Sequence, residues 1–279
     1  MLMGVGEYRE YSVLMSVYDK EKPKYLKQAI ESIQAQTFPT DDFVLVCDGP
    51  LNDALDAVIN LKQQEMGTTL NVVRLTKNGG LGNALNEGIK HCKNELVSRM
   101  DSDDIAYPDR CEKQIAVFNT YPEVSICSGI VEEFTTNPDT VDTKRVPPGT
   151  NAEIVEFAKK RNPFNHPCVM YKRSAVEAVG SYQDFYLLED YYLWLRMLMA
   201  GYQGYNIQEP LLHMRAGSDM YKRRAGWKYA KTQVRLFTYM RDQGFIGSGQ
   251  YIKSCLVRIG SALAPNWIRI LAFEKILRK

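Results

Sequence analysis

Two hydrophobic periods alternate over the first hundred residues, and this alternation constrains the possible folds more than any other feature of the chain. Short apolar runs predict strands at residues 11–18, 43–47, 70–75 and 95–100. Between them, apolar residues recur at helical spacing over 23–37, 51–64 and 82–92. Strands that alternate with helices through short loops predict an α/β fold, with a mostly parallel sheet flanked by helices.

The pattern becomes less regular after residue 108. We predict a helix at 109–121, a strand at 125–134, an exposed loop at 135–150, a loop and strand at 162–172, and an aromatic-rich helix at 187–200. We expect one domain over residues 1–220, with halves at about 11–107 and 108–220, followed by a basic amphipathic helical tail at 221–279.

Three carboxylates, those of Asp101, Asp103 and Asp104, end the fourth predicted strand. Alternate residues of an extended segment point the same way, so Asp101 and Asp103 can face one cation. Oxygen ligands of this kind suit Mg²⁺ or Mn²⁺. The competing interpretation is a solvated acidic turn before a helix opened by Pro108, and the spacing alone does not decide between them.

Polar residues follow two of the other predicted strands at the edge where α/β sheets bind ligands. Asp48 lies in an Asp-Gly turn, where it can accept hydrogen bonds from a base or ribose, or simply form the turn. The run from Asn78 to Ala84 brings backbone N–H groups to a helix start, which favours anions. It lacks the Gly-Lys-Ser/Thr of a P-loop, and Leu85 occupies the third glycine position of a dinucleotide fingerprint.

A second acidic cluster, Glu189-Asp190, lies among aromatic residues at the start of a predicted helix. Partial desolvation there suits a general base, whereas the simpler interpretation is that the carboxylates complement the helix dipole. His166 and His213 are each a possible third metal ligand or substrate contact. Arg99, two residues before Asp101, can neutralise carboxylates or reach a diphosphate.

Charge is distributed unevenly behind the small net charge of +2. Residues 221–279 hold 13 Lys and Arg against two acidic residues, a net of +11, which leaves −9 on residues 1–220. A basic tail on an acidic body suggests contact with an anionic membrane or nucleic acid. Six scattered cysteines without a C-x-x-C pair favour reduced core residues. With no signal peptide and no apolar run of membrane-spanning length, we expect a cytoplasmic protein.

Taken in order, these motifs resemble the nucleotide-diphospho-sugar glycosyltransferases of the GT-A fold, specifically the large inverting family 2. The resemblance covers roughly residues 11–225. It rests on the runs at 12–18, 32–37, 48–49, 78–86, 99–104, 165–167 and 189–194. Two departures stand out. Cys47 occupies a position where relatives often carry an aspartate, and the segment Met214–Ser218 lacks the Tyr-Arg and following histidine of many relatives.

The resemblance implies roles for individual residues. Asp190 would be the general base with Glu189 beside it, and Asp103 would hold the metal. The donor-binding residues would be Val17, Tyr18, Asp48, Asn78, Gly79, Gly82, Asn83, Arg99, Asp101 and Ser102. The metal ligands would be Asp103, Asp101 and His213, and the acceptor contacts His166, Tyr191 and Trp194. Residues 11–107 would form the nucleotide-sugar half and 108–220 the acceptor half.

The implied activity is a metal-dependent, inverting transfer of a hexose, with galactose or glucose expected, from a UDP-sugar. The acceptor would be an undecaprenyl-diphosphate-linked sugar in O-antigen or exopolysaccharide synthesis, and the product a β-glycoside. The cofactor would be Mn²⁺ or Mg²⁺. The basic tail would lie on the anionic inner face of the cytoplasmic membrane, with no nucleic-acid partner. The alternatives are a nucleotidyltransferase that makes a sugar nucleotide and a non-catalytic sugar- or nucleotide-binding module.

Overall fold

The computed structural model describes residues 8–216 and 225–264. The strands are β1 Ser12–Val17, β2 Asp42–Cys47, β3 Leu70–Arg74, β4 Leu96–Asp101, β5 Ile105–Ala106, β6 Val124–Phe134, β7 Thr143–Arg145, β8 Met170–Lys172 and β9 Gln203–Arg215. The helices are α1 Pro23–Gln34, α2 Asp53–Met66, α3 Leu81–Ile89, α4 Arg110–Thr120, α5 Asn151–Ala158, α6 Arg173–Ala178, α7 Glu189–Met199, α8 Gly226–Asp242 and α9 Ser248–Leu263.

The described strands form one sheet in the order β3-β2-β1-β4-β8-β6-β9-β5, and β7 pairs with the outer part of β6. The first four strands of that order are parallel. Strand β8 runs antiparallel to both of its neighbours, β4 and β6, while β6 and β9 are parallel. The mostly parallel α/β sheet predicted from the alternating periods is therefore confirmed.

Two apolar clusters lie on opposite faces of the sheet, and β1 contributes to both. Its residues Val13, Met15 and Val17 pack in the cluster with α1 and α2, whereas Leu14 packs on the other side with α3 and α7. Successive side chains of a strand point to opposite faces, so a strand covered on both faces becomes continuously apolar. Helix α3 approaches very closely, since a Cβ on Gly88 would lie 2.3 Å from the Leu14 Cδ1.

The predicted exposed loop at 135–150 contains a short strand, β7, that was not predicted from the sequence. Its residues pair with β6 through opposite charges: Lys144 Nζ lies 2.8 Å from a Glu132 oxygen, and Arg145 pairs with Glu133. Opposite-charge pairs across strands stabilise a sheet without any apolar alternation. Hydrophobic periodicity therefore gave no signal for this strand.

Helices α8 and α9 pack against each other, and α9 docks on the turn after α5. Gln250 Nε2 donates to the Lys159 carbonyl at 3.0 Å, and Arg258 Nη2 donates to the Lys160 carbonyl. Helices α8 and α9 lie within the predicted tail, while positions 221–224 and 265–279 of that tail lie outside the described residues. Across 8–216 and 225–264, none of the helices combines the length and apolarity that crossing a membrane requires.

Candidate active site

The carboxyl ends of the parallel strands meet at one rim of the sheet. Ser16 on β1 is aligned with Asp101 on β4, and Val17 is aligned with Cys47 on β2. The loops that follow these strands therefore begin side by side, although 85 positions separate Ser16 from Asp101 in sequence. The rim brings together Tyr18, the turn at Asp48, the glycine-rich loop (residues 78–83) and the acidic turn (residues 101–104).

Asp48 organises the glycine-rich loop. Its carboxylate is almost fully buried and accepts the N–H of Gly79 at 2.7 Å and that of Gly80 at 3.0 Å. Asn78 Nδ2 also donates to the Asp48 carbonyl at 3.1 Å. With both oxygens engaged by backbone groups, the carboxylate holds the loop in place, whereas the sequence led us to expect a contact with a base or ribose.

The glycine-rich loop leads directly into α3 and stays open to solvent. Asn78, Gly79 and Asn83 are exposed, and Gly82 is half-buried. Helix α3 begins at Leu81, so the backbone N–H groups of its first turn lie at the rim. Such a helix start favours an anionic group.

The acidic turn is crowded with carboxylates. Asp104 is buried and accepts the Arg215 backbone N–H at 2.8 Å, while Arg215 Nε donates to the Asp103 carbonyl. Burial, followed by the charges of Asp101 and Glu21, raises the pKa of Asp103 to about 7. The Ser102 hydroxyl donates to Glu21 at 3.1 Å, which brings this further carboxylate to the turn.

The chemistry of this turn fits a hard divalent cation, because its oxygens repel one another unless a positive charge intervenes. Among the residues that the structure describes, however, no group of three or more His, Cys, Asp or Glu side chains is gathered for a metal. His213 lies apart: its ring stacks on Tyr107 with centroids 4.4 Å apart, and its Nδ1 is 3.7 Å from a Glu132 oxygen. The expected ligand trio of Asp101, Asp103 and His213 is therefore not assembled.

Two expected donor contacts are inaccessible from solvent. Arg99 is 1% exposed and pairs through Nη2 with Asp101, so it neutralises that carboxylate from beneath and has no surface to offer a diphosphate. The Val17 side chain is fully buried in the core, because it lies on the sheet face covered by α1 and α2. Tyr18, by contrast, is 42% exposed and presents its ring at the rim.

The Glu189-Asp190 pair forms the first turn of α7 and is partly buried. Asp190 accepts hydrogen bonds from Asn162 Nδ2 at 2.6 Å and from the Tyr191 N–H at 2.7 Å, which fixes the orientation of its carboxylate. Burial, followed by the neighbouring charge of Asp190, raises the pKa of Glu189 to about 7. The two carboxylates are therefore adjacent in sequence but differ in environment.

The residues expected to contact an acceptor differ in accessibility. Trp194 is fully buried, and the Tyr191 hydroxyl donates to the Ala158 carbonyl within the core. Neither presents a face to a ligand, because helical periodicity turns both towards the sheet. His166 is half-buried, and its Nε2 lies 2.9 Å from the Tyr182 hydroxyl. Burial, followed by the charge of Arg99, holds the pKa of His166 well below its usual value, so the ring is neutral at pH 7.

The glycine-rich loop and the start of α7 come together at Gly82. A Cβ at this position would lie 3.5 Å from the Tyr182 Cβ and 3.9 Å from Glu189. The first turn of α3 therefore touches the start of α7. This contact places the anion-favouring helix start beside the partly buried carboxylates.

Three residues that support the site are absent from the sequence predictions: Glu21, Asn162 and Tyr182. Each acts through a hydrogen bond to a residue distant in the chain, such as Glu21 to Ser102 over 81 positions. No local pattern carries this information. Glu21 had one available signal, since it lies in the loop directly after the first predicted strand.

Comparison with known proteins gives a consistent result. Residues 12–180 match the model of glycosyl transferase family 2. The amylovoran biosynthesis glycosyltransferase AmsE of Erwinia amylovora is 41% identical, over 95% of this chain and 98% of the relative. The UDP-Gal:alpha-D-GlcNAc-diphosphoundecaprenol beta-1,3-galactosyltransferase of Escherichia coli is 36% identical, over 97% of each chain.

Solved structures share the fold at low sequence identity. S. aureus TarS 1–349 in complex with UDP-GlcNAc superposes with a TM-score of 0.67 at 16% identity, covering 96% of this chain and 76% of that one. The mannosyltransferase PcManGT of Pyrobaculum calidifontis, in complex with GDP-Man and Mn²⁺, gives 0.65 at 16% identity, covering 96% and 75%. The family model spans more than half of the chain, and the relatives match over nearly their whole length. The resemblance noted from the motifs is thus confirmed: the chain belongs to glycosyl transferase family 2 and has the GT-A fold.

Proposed function

We propose that this protein transfers a hexose from a UDP-sugar to a sugar carried on a lipid diphosphate, with inversion at the anomeric carbon. The observation that carries the proposal is the contact at Gly82, where the start of α3 meets the Glu189-Asp190 turn. A donor diphosphate at the helix start would then lie beside a candidate base. The similarity to a galactosyltransferase whose name specifies UDP-Gal and a GlcNAc-diphosphoundecaprenol supports the donor and acceptor classes.

The donor would occupy the rim of the sheet. Tyr18 offers an exposed ring for the base, and the open loop at 78–83 offers backbone N–H groups for the diphosphate. Asp101 is 35% exposed on its side chain, within reach of a ribose or sugar hydroxyl. Asp48 and Arg99 would act indirectly, because one holds the loop and the other holds Asp101.

A divalent cation, Mn²⁺ or Mg²⁺, would be held by Asp103 and Asp101, with the diphosphate and water completing its coordination. When bound, it would supply positive charge that stabilises the departing diphosphate. The crowding of carboxylates at the turn supports this assignment. Arg215 fixes the turn to β9, so the carboxylates are positioned before any ligand arrives.

The reaction would be a single displacement. The acceptor hydroxyl attacks the anomeric carbon, Asp190 takes the hydroxyl proton, and the bond from the anomeric carbon to the diphosphate oxygen breaks to release UDP. Attack from the face opposite the leaving group turns an α-linked donor into a β-linked product. Asn162 and the Tyr191 N–H hold the Asp190 carboxylate in one orientation, which is what proton transfer in a fixed geometry requires.

The two alternatives are less well supported. A nucleotidyltransferase needs a glycine-rich, basic loop directly after the first strand, and residues 18–23 contain no glycine. A binding module needs no general base, whereas the Asp190 carboxylate is held in one orientation by the Asn162 side chain. Membership of a glycosyltransferase family favours transfer over both.

A panel of nucleotide sugars tested against synthetic lipid-diphosphate-GlcNAc and -GalNAc acceptors measures the activity directly. We expect UDP release and a β-linked product with UDP-galactose or UDP-glucose and added Mn²⁺ or Mg²⁺. UDP release without product, or turnover of no UDP-sugar by the wild-type protein, contradicts the proposal.

We also propose that residues 221–279 form a basic tail that holds the protein on the inner face of the cytoplasmic membrane. Helix α9 leaves four aliphatic side chains exposed, those of Ile252, Leu256, Val257 and Leu263. The net charge of +11 on the tail complements anionic lipid. Cosedimentation with phosphatidylglycerol vesicles at low salt tests this directly, and absence of binding contradicts it.

A further inference from the structure

Asn86 lies on α3, the helix that follows the glycine-rich loop, and connects it to the loop that precedes α7. Its Nδ2 donates to the Tyr182 carbonyl at 2.7 Å, and its Oδ1 accepts the Tyr182 N–H at 2.9 Å. Ninety-six positions separate the two residues in the chain. Because both ends of the amide are used, a residue can replace Asn86 only if it presents a donor and an acceptor together at the same reach, which the shorter serine does not.

One end of this connection belongs to the donor side of the site. Asn86 lies on α3, which begins immediately after the loop whose Gly79 and Gly80 N–H groups are bound by Asp48. Gly88, two positions further along α3, is in such close contact with Leu14 and Val46 that the helix has no room to shift towards the sheet. Asn86 therefore projects from a rigidly packed element.

The other end leads to the candidate base. Tyr182 begins the loop that reaches Glu189 and Asp190, and its hydroxyl is hydrogen-bonded to the neutral ring of His166. The Tyr182 ring also packs against Trp194 on α7, with centroids 6.3 Å apart. Asn86 holds the main chain of Tyr182, while His166 and α7 hold its side chain. A shift of Tyr182 would therefore move the Glu189-Asp190 turn.

We propose that Asn86 is a positioning residue that fixes the Glu189-Asp190 turn relative to the diphosphate-binding start of α3. This inference rests on the proposed function. Both polar ends of the Asn86 side chain are used by the Tyr182 main chain. The effect of Asn86 reaches the reaction through Tyr182, and it sets the distance between the base and the anomeric carbon. A displacement of about 1 Å in such a geometry can cost about 100-fold in rate.

The test compares Asn86→Leu and Asn86→Ser with the wild type in the transfer assay and in UDP binding by calorimetry. We expect kcat to fall by about 10- to 100-fold, while the Kd for UDP changes by less than about threefold. Asn60→Leu, the same chemical change at an exposed position of α2, is the matched control and should retain wild-type kcat.

A double-substitution cycle separates positioning from simple structural support. If Asn86 acts through the base, Asn86→Leu should cost almost nothing in an Asp190→Asn background, because the group it positions is gone. Additive losses, a wild-type kcat in both Asn86 variants, or a UDP affinity that falls as much as kcat each overturn the inference. Should Asn86→Leu fail to fold, Asn86→Ser gives the same readout. A wild-type protein without transferase activity contradicts the proposed function instead.

Discussion

Glu189 and Asp190 are neighbours in sequence, yet their surroundings assign them different chemistry. Asp190 receives hydrogen bonds from Asn162 and a backbone N–H, whereas burial and the adjacent charge leave Glu189 with a pKa of about 7. A carboxylate held in one orientation suits proton abstraction. The orientation fixed by Asn162 and the Tyr191 N–H is therefore the reason that we propose Asp190 as the base.

Replacing Asp190 by Asn should abolish most transfer without unfolding the protein. Removal of a general base costs about 100- to 10,000-fold in rate, and the amide keeps the size of the side chain. Initial rates of UDP release with the lipid-linked acceptor measure the loss. Asp184→Asn, an exposed aspartate in the loop before α7, is the matched control and should behave like the wild type. A rate within threefold of wild type for Asp190→Asn excludes Asp190 as the base.

Glu189 should also make stability depend on pH. Its folded-state pKa of about 7 lies above the value of about 4.3 expected in an unfolded chain. Between these two pKa values the folded protein therefore keeps a proton that the unfolded chain has released. The stability that this group contributes at low pH is lost as the pH rises to about 7. Glu189→Gln cannot ionise, so its stability relative to wild type should increase between pH 4.5 and 7.5, by roughly 3 kcal/mol.

Urea denaturation at several pH values measures that difference. The curve for Glu189→Gln minus wild type should rise through this pH window and then level off. A difference that stays constant from pH 4.5 to 7.5 contradicts the raised pKa. The exposed Asp184→Asn variant again serves as a control.

Residues that belong to short sequence motifs could be found from the sequence. Residues that act through partners distant in the chain could not. The acidic turn and the Glu-Asp pair each lie within a few consecutive residues, and the structure brings both to the site. Accessibility was less predictable: Arg99 and Trp194 carry the right groups but are buried, because their strand and helix periods turn them inward. Asn162 had no local signal, since its partner Asp190 lies 28 positions away.

At the scale of elements, the turn after β2 and the glycine-rich loop form one unit. Gly49 has φ of +90°, and a Cβ there would lie 2.6 Å from the Asn78 backbone nitrogen. The glycine therefore meets two demands, a left-handed conformation and contact with a neighbouring backbone. The Asp48 hydrogen bonds to Gly79 and Gly80 depend on this approach.

Gly49→Ala should weaken nucleotide binding as well as stability. The positive φ alone costs about 1 kcal/mol, and the added methyl group must displace the loop at Asn78. Gly67→Ala is the matched control, because Gly67 has φ of +58° but open space around the new methyl group. Both variants should lose stability in thermal denaturation, but only Gly49→Ala should raise the Kd for UDP, by about tenfold or more. Equal UDP affinity in both variants contradicts the role of this turn.

Elements with strong hydrophobic periods were predicted well, and those held by other forces were not. The first four strands and their helices lie within a few residues of their predicted bounds, since buried faces impose periods of 2 and 3.6. Strand β7 is held by charge pairs with β6 and escaped detection. The antiparallel direction of β8 had no sequence signal either, because three residues are too few to show a connection type.

At the scale of the whole molecule, charge and apolar surface are segregated in a way that suits a membrane interface. Residues 1–220 carry a net charge of −9 and the tail carries +11. Within the described part of that tail, Leu256 is 68% exposed and Ile252 57%. Exposed aliphatic side chains on a basic helix have a use if they enter the headgroup region of an anionic bilayer. An orientation with α9 on the membrane would also hold the protein where lipid-linked acceptors are found.

Substituting Ile252 and Leu256 together by Glu should reduce vesicle binding by at least tenfold. Each side chain contributes about 1.5 to 3 kcal/mol when it leaves water, and each substitution adds a negative charge that anionic lipid repels. Cosedimentation with phosphatidylglycerol vesicles at low and high salt measures the loss. A Gln243→Glu, Ser248→Glu variant adds the same charge at exposed polar positions and should lose less. If both double variants bind equally, charge alone governs association and the aliphatic face of α9 has no part in it. If the Ile252, Leu256 variant binds as tightly as wild type, the attachment lies elsewhere in the chain.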